Sequence, residues 1–92
     1  MTRRMSTLSN GIRIASIAMP EAHSVSLGIW IKAGARDERT SEVGIAHFLE
    51  HMAFKGTSTR SALQIAESIE DVGGYINAYT SRETTAYYAR VL

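Results

Sequence analysis

The residues of this sequence that are best suited to chemistry are two histidines and one glutamate. His47, Glu50 and His51 form the pentapeptide H-x-x-E-H. The surrounding stretch, Gly44 to Phe54, is predicted to be a helix because its apolar residues recur at helical spacing. Positions i, i+3 and i+4 lie on one helical face, so the three side chains should share a small volume. Two imidazoles at this spacing can bind one Zn²⁺, and the carboxylate can act as a base toward water that the metal polarises.

This pentapeptide is the inverted form of the zinc-peptidase motif H-E-x-x-H. By template counting, about one shuffled sequence in two hundred of this composition would contain it. The alternative is an exposed polar helix face that carries two histidines without binding a metal. A catalytic zinc site normally has three protein ligands and one open position. No spacing forces the choice of the third ligand, and the candidates are Glu83, Glu67, Glu70, Asp71, Glu42 and His23.

Composition restricts the classes of protein to which the chain can belong. Its 92 residues are enough for one small domain at most, and 45% hydrophobic with 21% charged residues is typical of a folded globular sequence. The net charge is +1, without a basic cluster, so we expect no nucleic-acid partner. The absence of cysteine excludes disulfides and cysteine-ligated metal. No apolar run is long enough for a membrane helix, so we expect no membrane partner.

Hydrophobic alternation predicts several strands. Asn10-Gly11 is a typical two-residue hairpin turn. In the third strand, alternate apolar residues are predicted to face a core: Val25, Leu27, Ile29 and Ile31. The predicted strands are Met5–Leu8, Arg13–Met19, Ser24–Ile31, Tyr75–Thr80 and Thr84–Leu92.

Two helices complete the prediction. Thr40 or Ser41 is expected to cap the first helix. Its apolar stripe should dock on a sheet and leave the H-x-x-E-H face toward a cleft; the stripe consists of Ile45, Phe48, Leu49 and Met52. Ser61 and Gln64 predict a capping box for the second helix, Ala62 to Val72, which Gly73-Gly74 should end. The expected fold class is α+β, with an antiparallel or mixed sheet and helices packed on one face.

The segment from Gly44 to Thr57 closely resembles the active-site helix of the pitrilysin-type, insulinase-like zinc peptidases. This family includes mitochondrial processing peptidase and insulin-degrading enzyme. The resemblance extends over nearly the whole chain and is closest to bacterial relatives of the processing-peptidase β subunit. Its further segments are Leu8–Gly11, Ser26–Trp30, Gly34–Glu38, Gly73-Gly74, Asn77–Thr80 and Ser81–Thr85.

The resemblance implies roles for individual residues. His47 and His51 would be zinc ligands and Glu50 the general base. The family's third ligand is a glutamate on a later helix, at a position beyond Leu92, whereas Glu83 matches a position near the site without being a ligand. Asn77 and Ala78 match the family's edge strand, on which an extended peptide substrate adds itself by main-chain pairing.

The implied function is that of a zinc-dependent metalloendopeptidase, with Zn²⁺ as cofactor and peptides, presequences or unfolded proteins as substrates. The chain stops at Leu92 within a β-prone run, so residues 1–92 are expected to be a truncated N-terminal portion of the peptidase domain. We expect this portion alone to bind zinc weakly and to cleave nothing. The alternatives are a non-catalytic family member that serves as a structural or interaction subunit and, less in keeping with the resemblance, a simple metal-binding module.

The resemblance leaves homo- and hetero-oligomers open. It favours the bacterial cytoplasm as the compartment, with the mitochondrial matrix as the alternative.

Overall fold

The computed structural model describes residues 2–92 and has an α+β architecture, as predicted. The strands form two separate antiparallel sheets, a hairpin β1-β2 and a three-stranded sheet of order β3-β5-β4. Between β3 and β4 the chain forms two 3₁₀ turns and two α-helices. Within residues 2–92 neither helix is long and apolar enough to cross a membrane. The elements are β1 (Thr2–Thr7), β2 (Arg13–Ala18), β3 (Val25–Ile31), α1 (Ile45–Met52), α2 (Ala62–Glu70), β4 (Tyr75–Thr80) and β5 (Thr85–Val91).

The first hairpin forms as expected, but its turn is wider than predicted. Leu8 and Ile12 still pair, through the Leu8 N–H and the Ile12 carbonyl at 2.8 Å. Three residues therefore form the loop, with Gly11 in the left-handed region at φ 92°. A two-residue type I′ turn at Asn10-Gly11 would need positive φ at both residues, and no non-glycine residue within 2–92 has one. Instead the Asn10 side chain accepts from the Ile12 N–H at 3.1 Å.

β5 is the central strand of the larger sheet, so β3 and β4 are both edge strands. The register places Ile29, Tyr87 and Ala78 side by side. Because directly paired residues project from the same face, the predicted apolar row of β3 shares a face with Ala78 and Thr80. Trp30 projects from the opposite face, together with its partner Ala86.

The start of α1 differs from the prediction. Thr40–Glu42 forms a 3₁₀ turn, and the N-cap position is Gly44 at φ 91°. The prediction that Thr40 or Ser41 caps α1 is therefore wrong. The Glu38 carboxylate accepts instead from the N–H groups of Gly44 at 3.0 Å and Ala46 at 2.7 Å. A side chain six residues before one amide and eight before the other thus satisfies N–H groups that the start of a helix leaves without partners.

The predicted capping box and glycine stop of α2 are both confirmed, but the helix ends at Glu70, two residues before the predicted Val72. The Ser61 hydroxyl accepts from the Gln64 N–H at 3.1 Å, while the Gln64 side chain accepts from the Ser61 N–H at 2.8 Å. At the other end, Gly73 has φ 70° and donates to the Glu70 carbonyl, and Gly74 donates to the Ile69 carbonyl. These two bonds form a Schellman motif, which a left-handed glycine permits.

The side on which α1 docks is opposite to the prediction. The less exposed residues of this segment are Ala46, Glu50 and Phe54, and the Phe54 ring lies 6.4 Å from that of Tyr87 on β5. The predicted docking stripe faces away, with Ile45, Phe48, Leu49 and Met52 exposed by 46–64%. A helical wheel shows which residues share a face, but not which face meets the sheet.

The chain exposes much more surface than a protein of its mass usually does. Its accessible area is 7886 Å², whereas a 10.1 kDa monomer is expected to expose about 5,300 Å². The radius of gyration is 15.7 Å, compared with about 12 Å for a compact domain of this length. Among residues 2–92, Ala86 is the one fully buried apolar side chain. The β3 row that was predicted to face a core is 45–67% exposed.

Candidate metal centre

The helix α1 brings the two histidines of the pentapeptide into direct contact. His47 and His51 are one turn apart, and their Nε2 atoms lie 3.0 Å from each other. Their rings are 4.6 Å apart and inclined by 63°, so the two nitrogens face a common point beside the helix. Both side chains are exposed.

The separation of these two nitrogens suits a shared metal ion. Two imidazole nitrogens at about 2.0–2.1 Å from Zn²⁺ in tetrahedral geometry lie about 3.3 Å apart. The observed 3.0 Å differs from this by an amount that a small ring rotation can supply. Two neutral imidazoles and a carboxylate are also ligand types that Zn²⁺ accepts. His47 and His51 therefore fit a zinc ion without a change in α1.

Glu50 completes the cluster from the side that faces the sheet. Ligand atoms of His47, Glu50 and His51 all lie within 4.8 Å of one another. Glu50 is half-buried, and its Oε2 accepts a 2.5 Å hydrogen bond from the Thr80 hydroxyl on β4. The carboxylate thus lies between the exposed imidazoles and the strand.

None of the proposed third ligands joins this cluster within residues 2–92, where it is the one convergent group of metal-binding side chains. Glu83 instead pairs with Arg36 at 2.6 Å, and both of these side chains are more than 60% exposed. The described residues 2–92 therefore identify no third ligand.

The connector between β3 and α1 is bound to the β4–β5 turn. Gly34 is buried, the Ala35 N–H donates to the Ser81 carbonyl at 3.1 Å, and the Arg36 N–H donates to the Arg82 carbonyl at 2.8 Å. Since Glu38 of the same connector caps α1, this contact fixes the start of α1 relative to β4. A groove lies between these elements, lined by Ala35, Glu38, Val43, Gly44, His47, Thr80, Ser81 and Arg82.

Asn77 and Ala78 lie on β4, on an open edge of the sheet, and Thr80 of the same strand contacts Glu50 of the cluster. Their partners on β5 are Tyr88 and Tyr87. The Ala78 N–H donates to the Asn77 amide oxygen at 2.8 Å. β4 is thus an edge strand, as the resemblance implied. That Asn77 and Ala78 bind a substrate stays a prediction.

Two residues of the site were not identified from the sequence. Thr80 is an ordinary strand residue in the alternation pattern, and its contact with Glu50 spans 30 positions. Glu38 is one of several charges in the connector, and helix-capping rules search the residue next to the helix rather than one seven positions before its first residue. No pattern in the neighbouring sequence indicates either the Thr80–Glu50 contact or the Glu38 cap.

Known proteins resemble this chain over most of its length. The sequence model of the family described as Insulinase (Peptidase family M16) matches residues 13–92. An Arabidopsis thaliana protein named "Probable mitochondrial-processing peptidase subunit beta, mitochondrial" is 53% identical over 89 residues, which cover 97% of this chain and 17% of that protein. A Bacillus subtilis protein named as an uncharacterized zinc protease is 55% identical over 86 residues, covering 94% and 21%. Bacterial and mitochondrial proteins are thus both among the relatives.

A solved structure has the same fold. The crystal structure of a protease from Helicobacter pylori matches with a TM-score of 0.87 and 31% identity, and the match covers 98% of this chain and 22% of that one. The chain spans about a fifth of the length of these proteins.

Proposed function

Because the chain belongs to the insulinase family of peptidases, family M16, we propose that it forms the zinc-binding portion of a metalloendopeptidase. The observation that carries the proposal is the convergence of His47, Glu50 and His51 within 4.8 Å. The relatives named as zinc proteases support zinc as the metal. We propose the whole domain to be longer than residues 1–92, since those relatives are about five times the length of the chain.

His47 and His51 would hold the metal through their Nε2 atoms. When bound, Zn²⁺ supplies a Lewis acid that makes water a nucleophile at neutral pH and polarises the peptide carbonyl. Glu50 takes a proton from the attacking water and later donates it to the amine as the peptide C–N bond breaks. Its Oε2 is engaged by Thr80, so the other carboxylate oxygen is the one that exchanges the proton.

The open edge of β4 is the proposed docking site for an extended substrate. Main-chain pairing on a sheet edge selects the conformation of a peptide more than its sequence, which suits unfolded segments or presequences. Backbone groups of alternate residues point to opposite edges of a strand, and the Ala78 N–H is satisfied by the Asn77 side chain rather than by β5. A substrate carbonyl would take the place of that amide oxygen.

The third ligand and the groups that stabilise the transition state would come from the rest of the domain. The cluster within residues 2–92 contains two histidines and the proposed base, which is one ligand short of a catalytic zinc site. The 92-residue chain is therefore expected to bind zinc weakly and to show no turnover.

A non-catalytic subunit is the second candidate function. One relative is named as a subunit of a processing peptidase. We therefore propose that the protein assembles with a second, related chain, whether it is the enzyme or a non-catalytic subunit. The complete H-x-x-E-H pentapeptide favours the enzyme, because a purely structural subunit has no need for a base beside two metal ligands.

The decisive experiment replaces Glu50 in a full-length protein that carries these 92 residues. Glu50→Gln should abolish hydrolysis of a long unstructured peptide while the zinc content, measured by atomic emission, stays at one ion per chain. Glu67→Gln on the exposed side of α2 is the control and should leave both quantities unchanged. Full hydrolysis by Glu50→Gln would contradict the proposal, and its loss together with zinc would make Glu50 a ligand.

A further inference from the structure

We propose that Thr80 is the positioning residue for the Glu50 carboxylate, an inference that rests on the proposed role of Glu50 as general base. The Thr80 hydroxyl donates to Glu50 Oε2 at 2.5 Å in a half-buried contact. This bond joins the H-x-x-E-H helix directly to the strand proposed to dock the substrate. Thr80 itself touches neither substrate nor metal in this scheme.

Thr80 is well placed to hold a side chain still, because it is at the more buried end of the sheet. It pairs with Thr85 on the central strand, and Thr85 is only 6% exposed. The Thr85 hydroxyl donates to the Ala33 carbonyl at 2.7 Å, which ties β5 to the connector after β3. Thr80 is thus held by its pairing with Thr85, which is itself hydrogen-bonded to Ala33. Glu50, in contrast, projects from a short helix with much exposed surface.

The contact restrains one carboxylate oxygen of Glu50, Oε2, more than the other. A glutamate side chain has three rotatable bonds, and ordering it costs conformational entropy. The hydroxyl restrains Oε2, while a ligand oxygen of the same carboxylate lies within 4.8 Å of ligand atoms of His47 and His51. A base held before substrate arrives needs no reorganisation during proton transfer.

The same contact links the base to the substrate-docking strand. Thr80 follows Ala78 by two positions and therefore projects from the same face of β4. A peptide paired with the open edge of β4 would be held by the strand that orients Glu50. The same strand would then position both the scissile carbonyl of the substrate and the carboxylate of Glu50.

The first test measures Glu50 order directly, in the metal-free 92-residue chain. Three-bond couplings across χ1 of Glu50 should report one rotamer in the wild type, averaged rotamers in Thr80→Val and one rotamer again in Thr80→Ser. Thr7→Val, the same change at an exposed position of β1, is the matched control and should leave the Glu50 couplings unchanged. A single Glu50 rotamer in a folded Thr80→Val variant overturns the proposal.

The second test separates positioning from a purely structural role, in a full-length protein that carries these residues. Thr80→Val should lower kcat by about 10- to 100-fold, with KM and zinc content unchanged and with rescue by Thr80→Ser. An unchanged kcat, or equal losses in zinc content and kcat, overturns the inference. If the wild type binds no zinc and cleaves nothing, the proposed function fails, and the positioning role in catalysis fails with it. The Glu50 couplings then still show whether Thr80 orders this side chain.

Discussion

The Glu38 carboxylate accepts a 2.7 Å hydrogen bond from the backbone N–H of Ala46, which directly precedes the first histidine of the metal cluster. Through its second oxygen it also accepts from Gly44. An acidic group at a helix N-terminus is favoured by the unpaired amides and by the helix dipole. The connector therefore anchors the turn of α1 that carries His47.

The pH dependence of this cap follows from its hydrogen bonds. The Ala46 N–H, and then the Gly44 N–H, favour the charged carboxylate and hold the pKa of Glu38 below its ordinary value. Since the folded pKa is the lower one, the stabilisation is complete above the unfolded pKa and is lost as the pH falls through the folded pKa. We expect the first turn of α1 to be intact at neutral pH and to loosen only in acid.

Amide chemical shifts of Gly44 and Ala46, followed during an acid titration, would measure this transition. Both amides should titrate together, with a midpoint below that of an ordinary glutamate. Glu38→Gln should remove the transition, whereas Glu67→Gln should keep it. A midpoint at or above the ordinary glutamate value would contradict the assignment of Glu38 as the cap.

Removal of either imidazole should abolish most of the zinc affinity of the 92-residue chain. Loss of outer groups that only orient a metal ligand already costs about 10- to 100-fold in affinity, so His47→Ala or His51→Ala should cost at least as much. Competition with a chromogenic chelator measures the affinity. His23→Ala, in an exposed loop, is the matched control, and an equal loss in that variant would indicate unspecific binding to histidine.

Replacement of Gly34 by alanine should destabilise the chain. A Cβ at this buried position would overlap the Ser81 carbonyl oxygen and lie 2.7 Å from the Arg82 carbonyl carbon. Backbone atoms cannot rotate away, so the connector must shift, at a cost of about 1–3 kcal/mol. Urea unfolding measures this free energy. Ala35→Ser at the exposed neighbouring residue should leave the midpoint nearly unchanged.

The exposed row on β3 should cause self-association of the 92-residue chain. Leu27 is 67% exposed in this row, on an edge strand that has free main-chain groups. Sedimentation analysis should show a concentration-dependent average mass, and Leu27→Glu should shift it toward the monomer. Ser26→Glu adds the same charge on the opposite face, beside Arg90, and should have a much smaller effect. A monomeric wild type at high concentration would contradict this expectation.

Local patterns predicted the elements well where the cause is local. The capping box of Ser61 and Gln64 and the glycine stop after α2 both depend on residues within a few positions of the helix end, and both were found as predicted. The hairpin loop was placed correctly, but its width was not, because Asn10-Gly11 also fits a three-residue loop with glycine in the left-handed position.

Contacts distant in sequence were not predictable in the same way. The cap of α1 by Glu38 and the bond from Thr80 to Glu50 depend on where the connector and β4 come to lie. The side of α1 that meets the sheet depends on the same arrangement. For that reason the predicted docking stripe, which includes Phe48 and Leu49, is instead exposed.

The sequence by itself determined that two imidazoles and a carboxylate share one side of α1, because the helical repeat alone places positions i, i+3 and i+4 together. Only the tertiary structure decided what lies behind that side. It placed Thr80 against Glu50 and left β4 at an open edge of the sheet. Helical periodicity is a property of neighbouring residues, whereas the partner of a helix face is set by chain segments that meet only in the folded state.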